Sequence, residues 1–305
     1  MKAKLLQIIT KTQEGRQAFL NWNKKNHILI LFVCLFVSPL LFAEGKGSEM
    51  TEEKAHHFAF DPQEKIKFDV YFKWGILMPK AGEATLSMKS EDFSGKDVYK
   101  QQLLFKTTSM FDKIYKMRDT VESYTTRNLE SVFYQKRVNE GGYYLVDETA
   151  FNHKKVNPHV MSKRFDRNRV KFDTLMTCSQ SQMFDMLNIT LFFRGMNFNN
   201  LQIGEERIAN VVVGRDIIKS IFRYDGQAIV ERDNIKYKTL KITVDIFDEA
   251  FQESKEALEI WVSDDKNRVP IKIRAKLKIG AAEAYLSSLT GNIHPFSARI
   301  EVPKR

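Results

Sequence analysis

A chain of 305 residues with 43% hydrophobic and 28% charged side chains has enough apolar mass to bury a core, which excludes a disordered polyelectrolyte. Its formal charge of +10 is concentrated early: residues 1–43 hold six Lys or Arg and one Glu, leaving 42 bases and 37 acids in the remainder. That excess is too mild to argue for a nucleic-acid partner, and none is expected.

Lys24 and Lys25 precede an apolar run from Ile28 to Val37, followed by Ser38-Pro39, Leu40-Leu41-Phe42-Ala43 and a polar stretch from Glu44. A positive flank, an apolar run and a small residue at its exit describe a secretory signal peptide over 1–43, cleaved after Ala43. The run is shorter than the ~20 residues of a spanning helix, which argues against a retained anchor. Residues 44–60 lack periodicity and read as a flexible leader. Its pair His56-His57 has no third ligand at a zinc-like spacing, so no metal is expected. Removing the signal removes Cys34 and leaves Cys178 alone; no intramolecular disulfide can form, and a lone cysteine reads as a small buried hydrophobe.

From Lys65 the sheet begins. Ile66, Phe68, Val70 and Phe72 alternate with Lys67, Asp69, Tyr71 and Lys73, the period of a half-buried strand. The connection Trp74-Gly75-Ile76-Leu77-Met78-Pro79 is apolar where loops are normally polar. Its plainer reading is cover for its own hairpin; its functional reading is an apolar rim, with Trp74, Leu77 and Met78 as ligand-contacting residues. Met110, Phe111, Ile114, Tyr115 and Met117 are spaced for a turn or two of helix, and Gly141-Gly142 for a hairpin turn. The basic stretch from His153 to Lys171 reads as a solvated hairpin whose charges pair across strands.

One segment differs. Ser181-Gln182 leads into Met183, Phe184, Met186, Leu187, Thr190, Leu191 and Phe193, with Gly195 closing, which predicts an amphipathic helix of about three turns. A single helix among strands packs on one face of a sheet or plugs one end. Met183, Phe184, Leu187 and Leu191 are then core, or the lining of a lipid pocket. Near the C-terminus Leu258, Ile260 and Val262 alternate with Glu259 and Trp261. After a turn, Ile271, Ile273, Leu277 and Ile279 alternate with Lys272, Arg274, Lys276 and Lys278. Burying four unpartnered cations would cost several kcal/mol each, so the apolar set is expected in the hollow with Leu258 and Ile260. The cation stripe is then either paired with acids such as Glu259 and Glu283 or free to meet an anionic surface. Nothing of linker composition divides the chain, so 61–305 reads as a single all-β domain of about a dozen antiparallel strands and one principal helix.

Several stretches also resemble a known family. Asp69-Val70-Tyr71-Phe72-Lys73-Trp74 with Ala81-Gly82-Glu83-Ala84, Tyr115-Lys116-Met117-Arg118-Asp119, Trp261-Val262-Ser263-Asp264-Asp265 with Arg268-Val269-Pro270-Ile271, and Ile279-Gly280 are similar to the uncharacterised exported family called domain of unknown function 3108, over about residues 60 to 297. The resemblance implies a large antiparallel meander curled into a barrel or half-barrel. It also implies export in a Gram-negative bacterium, to the periplasm or the outer membrane. It brings no catalytic residues.

No phosphate loop, dinucleotide fingerprint, nucleophile elbow or His-Glu-x-x-His occurs, and no cofactor is expected; Ser263-Asp264-Asp265-Lys266 fits Ser-x-x-Lys but falls in a hairpin turn. Two classes remain. The first is a non-catalytic envelope protein binding a lipid, a glycan or an anionic membrane surface, and the second is an envelope hydrolase acting on a glycan or lipid. The inner face separates them: apolar residues throughout mean core or lipid pocket, whereas converging inward acids favour catalysis.

Overall fold

The computed structural model describes residues 48–49, 60–153, 157–177, 182–246, 254–277 and 280–300. The predicted signal segment, most of the leader with His56 and His57, Cys178, Lys278 and Ile279 lie outside them. Among the described residues the strands are β1 (Ser48–Glu49), β2 (Lys65–Lys73), β3 (Lys80–Phe93), β4 (Lys96–Thr107), β5 (Arg118–Thr126), β6 (Ser131–Glu140), β7 (Tyr143–Asn152), β8 (His159–Phe165) and β9 (Val170–Thr177). They continue as β10 (Glu206–Val213), β11 (Asp216–Arg232), β12 (Ile235–Ile246), β13 (Ser254–Ser263), β14 (Pro270–Lys276), β15 (Ala281–Thr290) and β16 (Arg299–Ile300). Two helices, α1 (Ser109–Asp112) and α2 (Asn188–Gly195), complete the set with a short 3-10 turn at Phe198–Asn200.

All the strands belong to one sheet. β2 to β9 follow one another as an antiparallel meander, β10 to β15 do the same, and β15 pairs with β2 to join the halves. Short β1 lies parallel to β10, and β16 pairs with β12. Alternation does what period two demands: along β2, Ile66, Phe68 and Val70 are buried while Lys65 and Lys67 are exposed.

The sheet curls into a barrel-like half-shell without closing. Among the described residues no ladder joins β9 to β10; the seam is bridged instead by side chains. Ser162 donates its hydroxyl to the Gly214 carbonyl, and Val160, Met183 and Val212 pack together with Phe151, Met176 and Ile217 around them.

The chain between β9 and β10 fills the hollow. Phe184 runs beside β10, its N–H donating to Asn210 O at 2.9 Å and its carbonyl accepting from Val212 N–H at 2.8 Å. Those bonds exclude Phe184 from a helix, so the helix begins at Asn188 and not at Met183 as its spacing predicts. Fully buried Asp185 accepts from the N–H groups of Leu187 and Asn188 at 2.9 and 2.8 Å, capping the first turn. Its other oxygen accepts from the hydroxyls of Ser123 and Ser131, both at 2.8 Å, which ties α2 to β5 and β6. The helix is buried on nearly every side, at Asn188, Ile189, Leu191, Phe192, Phe193 and Arg194, so of the two expected placements it takes that of a plug.

Arg194 anchors the far end of the plug. Its guanidinium makes a two-pronged pair with Glu64 at 2.6 and 2.8 Å and donates to the Asn267 carbonyl at 2.9 Å, with both charged side chains 4% exposed. This links α2 to the start of β2 and to the β13–β14 turn.

One predicted residue changes sides. The register slips between Trp261, opposite Lys272, and Val262, opposite Pro270, making Ile271 an extra residue on β14. Ile273 keeps its predicted side, opposite Ile260 and Ala284. Ile271 instead packs with Val230 and Tyr285, and Tyr285 stands opposite Lys272, so it joins the cation side of the sheet.

Removing one partner of a buried ion pair leaves the other charge uncompensated, at a cost on the order of 3–5 kcal/mol. Arg194→Ala is therefore expected to lower the unfolding free energy by about that amount in denaturant titration. Arg194→Ala with Glu64→Gln is expected to recover part of it.

Candidate functional site

One end of the half-shell gathers the tips of the β2–β3, β6–β7 and β14–β15 hairpins with the α1 segment between β4 and β5. At the β2–β3 tip, Trp74 and Leu77 exchange backbone hydrogen bonds of 2.8 and 3.0 Å, enclosing the two-residue turn Gly75-Ile76 with Gly75 at φ +56°. Glycine meets that positive φ at no steric cost. The turn leaves Ile76 100% and Trp74 52% exposed. Across the rim, a Cβ at Gly280 would lie 2.1 Å from the Lys73 carbonyl and 3.6 Å from Trp74 Cα, so the β14–β15 turn abuts this tip. On the other side, Thr108 donates its N–H to Ala81 O at 3.0 Å, tying the α1 segment to the start of β3.

The residues expected to contact a ligand separate into three places. Trp74 and Leu77 form the hairpin tip. Met78 turns outward into the cluster of Val230, Ile271 and Tyr285. Met183, Phe184, Leu187 and Leu191 are core, each at most 1% exposed. Phe184 meets Phe192 edge-on with centroids 5.0 Å apart, and Leu191 packs with Phe60, Met88 and Leu129. Met88 lies ~20 Å along β3 from Ala81 at ~3.3 Å per residue, so Leu191 is remote from the tip.

Two cations of the stripe on β14 are answered by acids. Arg274 donates to Glu259 at 2.6 Å and lies 3.5 Å from Glu283. Lys272 lies 3.5 Å from Glu283 and over the rings of Trp261 and Tyr285, at 4.6 and 5.3 Å from their centroids. Burial pushes the Lys272 ammonium below its ordinary pKa against the pull of Glu283. The long β11–β12 hairpin reaches this patch, where Arg232 stacks over Tyr71 and Tyr285 at 4.3 and 4.7 Å. Lys276 is exposed. Lys278 lies outside the described residues.

The inner face at this end carries acids that sequence reasoning missed. Of Asp119, Glu140 and Asp147, Asp147 is held by Arg164 at 2.5 and 2.9 Å. Asp119 accepts from the Asn139 N–H at 2.8 Å, and Glu140 accepts from the Tyr115 hydroxyl at 3.3 Å. Asp119 Oδ2 and Glu140 Oε1 remain buried with no hydrogen-bond partner. Burial raises both carboxyls, Asp119 to about 7 despite the Asn139 bond, and Glu140 to about 8 with the Asp119 charge adding to the rise. Lys136 draws both back. The pair therefore holds a proton near neutral pH.

Tyr115 covers it from the α1 segment. A Cβ at Gly141, itself at φ +52°, would lie 2.7 Å from the Tyr115 ring, so only glycine admits that ring. Parity was the available signal: Asp119 stands two residues before buried Val121, and Glu140 two after buried Val138. Among the described residues no group of three or more His, Cys, Asp or Glu could hold a metal ion. Nor, among them, is any helix long and apolar enough to cross a membrane.

A family described as protein of unknown function DUF3108 matches residues 67–287. The chain belongs to that family. The crystal structure of a beta-barrel-like protein of domain of unknown function DUF1849 from Brucella abortus is similar to this member of DUF3108. The TM-score is 0.55 at 9% identity, over 76% of this chain and 98% of that one. At that identity the likeness shows the fold alone. No curated protein sequence matches the chain.

The acid pair makes stability depend on pH with a definite sign. Both carboxyls titrate higher folded than unfolded, so the folded state binds more protons above the ordinary carboxylate range. Stability from the pair is present at acidic pH and is lost as pH rises from ~4.5 to ~8, at about 1.4 kcal/mol per unit for one proton. Glu140→Gln is expected to flatten the fall of the melting temperature across that window relative to the unaltered chain, and identical slopes would show that the pair holds no proton.

Proposed function

We propose that this DUF3108 member is a non-catalytic exported protein of the cell envelope that binds a lipid or other amphiphile through the Trp74–Leu77 rim. Export is supported by Lys24-Lys25, the apolar run from Ile28 and the small residue Ala43. The observation that carries the binding reading is Ile76, fully exposed on a rigid two-residue turn beside a half-exposed Trp74. Ile76 and the adjoining face of Trp74 make a contiguous apolar tip, and an amphiphile that buries the isoleucine side chain gains ~1.5–3 kcal/mol. The hollow is a poorer candidate, since the plug residues Met183, Phe184, Leu187 and Leu191 already occupy it.

Titration with zwitterionic detergent micelles, followed by tryptophan emission, tests this. Ile76→Ser is expected to weaken binding about tenfold or more with the melting temperature unmoved. Binding unaffected by Ile76→Ser would remove the rim from the account. N-terminal sequencing of the chain from its native host is expected to begin at or near Glu44, and a full-length cytoplasmic product would remove export.

The inward acids favour one second reading, an envelope hydrolase acting on a glycan or lipid, with the protonated carboxyl of the Asp119–Glu140 pair as acid and its neighbour as base. Its mark would be turnover of ester or glycoside substrates that Glu140→Gln abolishes while micelle binding persists.

A further inference from the structure

We infer that the rim docks on a bilayer of anionic lipid, with Ile76 and Trp74 entering the interface and lysines from two neighbouring segments facing the headgroups. This rests on the rim-binding reading and names its partner. The apolar contact alone would accept any amphiphile; the selection comes from the charge around it.

The cations at this end fall into two groups. Lys80 is held by Asp69 and Glu83 at 2.8 and 3.0 Å, Lys106 by Glu83 at 3.1 Å, and Arg118 by Asp112 at 2.6 Å. Lys113 and Lys116 on the α1 segment and Lys276 at the end of β14 are exposed and make no ion pair among the described residues. Their positions flank the tip. Lys276 stands opposite Ala281, and Ala281 opposite Lys73, so two strand spacings, ~10 Å, separate Lys276 from the end of β2, just before Trp74. The α1 segment that bears Lys113 and Lys116 is bonded to the first residues of β3 on the far side. An isoleucine tip, a tryptophan at its shoulder and free lysines behind it are ordered as in an interfacial anchor: acyl chains first, then the carbonyl layer, then phosphates.

Each lysine near an anionic surface contributes about 1 kcal/mol, roughly a fivefold change in partition, within a Debye length of ~8–10 Å. The stripe residues Lys272 and Arg274 are excluded from this role because Glu259 and Glu283 already neutralise them. The acids Asp248, Glu249 and Glu253 lie outside the described residues, so the whole exported chain is the proper material for the test.

Vesicles of phosphatidylcholine, with and without phosphatidylglycerol, are sedimented with the chain at low and high salt. Phosphatidylglycerol is expected to tighten binding, and salt to reverse the gain. Lys113→Gln/Lys116→Gln/Lys276→Gln together are expected to cost about a hundredfold on the anionic vesicles and little on the neutral ones, with melting unchanged. Ile76→Ser is expected to weaken both. Equal binding to the two vesicles, or indifference to the triple substitution, overturns the anionic partner while leaving the amphiphile reading in place. Absence of binding to either vesicle or to micelles defeats both. A dimer in lipid-free buffer that Ile76→Ser dissolves would assign the tip to a second copy of the chain and overturn the inference.

Discussion

A sheet this long with one apolar face must fill its own hollow, and the segment between β9 and β10 is what fills it. The remaining features follow from that constraint. Asp185 is fully buried because it must satisfy the first amides of α2 and two strand hydroxyls at once. Arg194 is buried because the far end of the plug has to be tied to β2 and to the β13–β14 turn. With the interior taken, apolar surface available to a partner lies outside the hollow, and at the β2–β3 tip a two-residue turn presents Ile76 and Trp74.

The same constraint explains which features could be read from the sequence. Period two along β2 is a local property and sufficed to orient Ile66, Phe68 and Val70. The pairing of β15 with β2 joins strands separated by nearly the whole domain and leaves no local mark. Ile271 was assigned to the hollow by strict alternation, and a single bulge opposite Trp261 moved it to the other face. The helix was placed too early because Met183 and Phe184 carry helical spacing, while tertiary bonds to β10 commit Phe184 to the sheet.

The functional surface was legible in part. The apolar character of residues 74–79 was visible, but whether the loop covered its own hairpin or pointed outward depended on the tightness of the turn, and that separated Met78 from Ile76. The cation stripe was visible too, and its neutralisation depended on which strands flank β14. Glu259 and Glu283 are those neighbours, so Lys272 and Arg274 are paired while Lys276 is left exposed. Asp119 and Glu140 were hidden for a different reason. Each sits in a run that reads as turn or strand end, and only their shared inward parity makes them a pair.

The molecule therefore divides into a filled hollow that carries stability and a rim that carries contact. Hydrogen–deuterium exchange of the exported chain, with and without anionic vesicles, tests that division most directly. Amides at 74–78 and in the α1 segment are predicted to slow on vesicle addition, while those of 183–195 and of the strands around them stay as they were. Altered exchange across 183–195, with the rim unchanged, would mean that the plug moves to admit a ligand and would contradict the account.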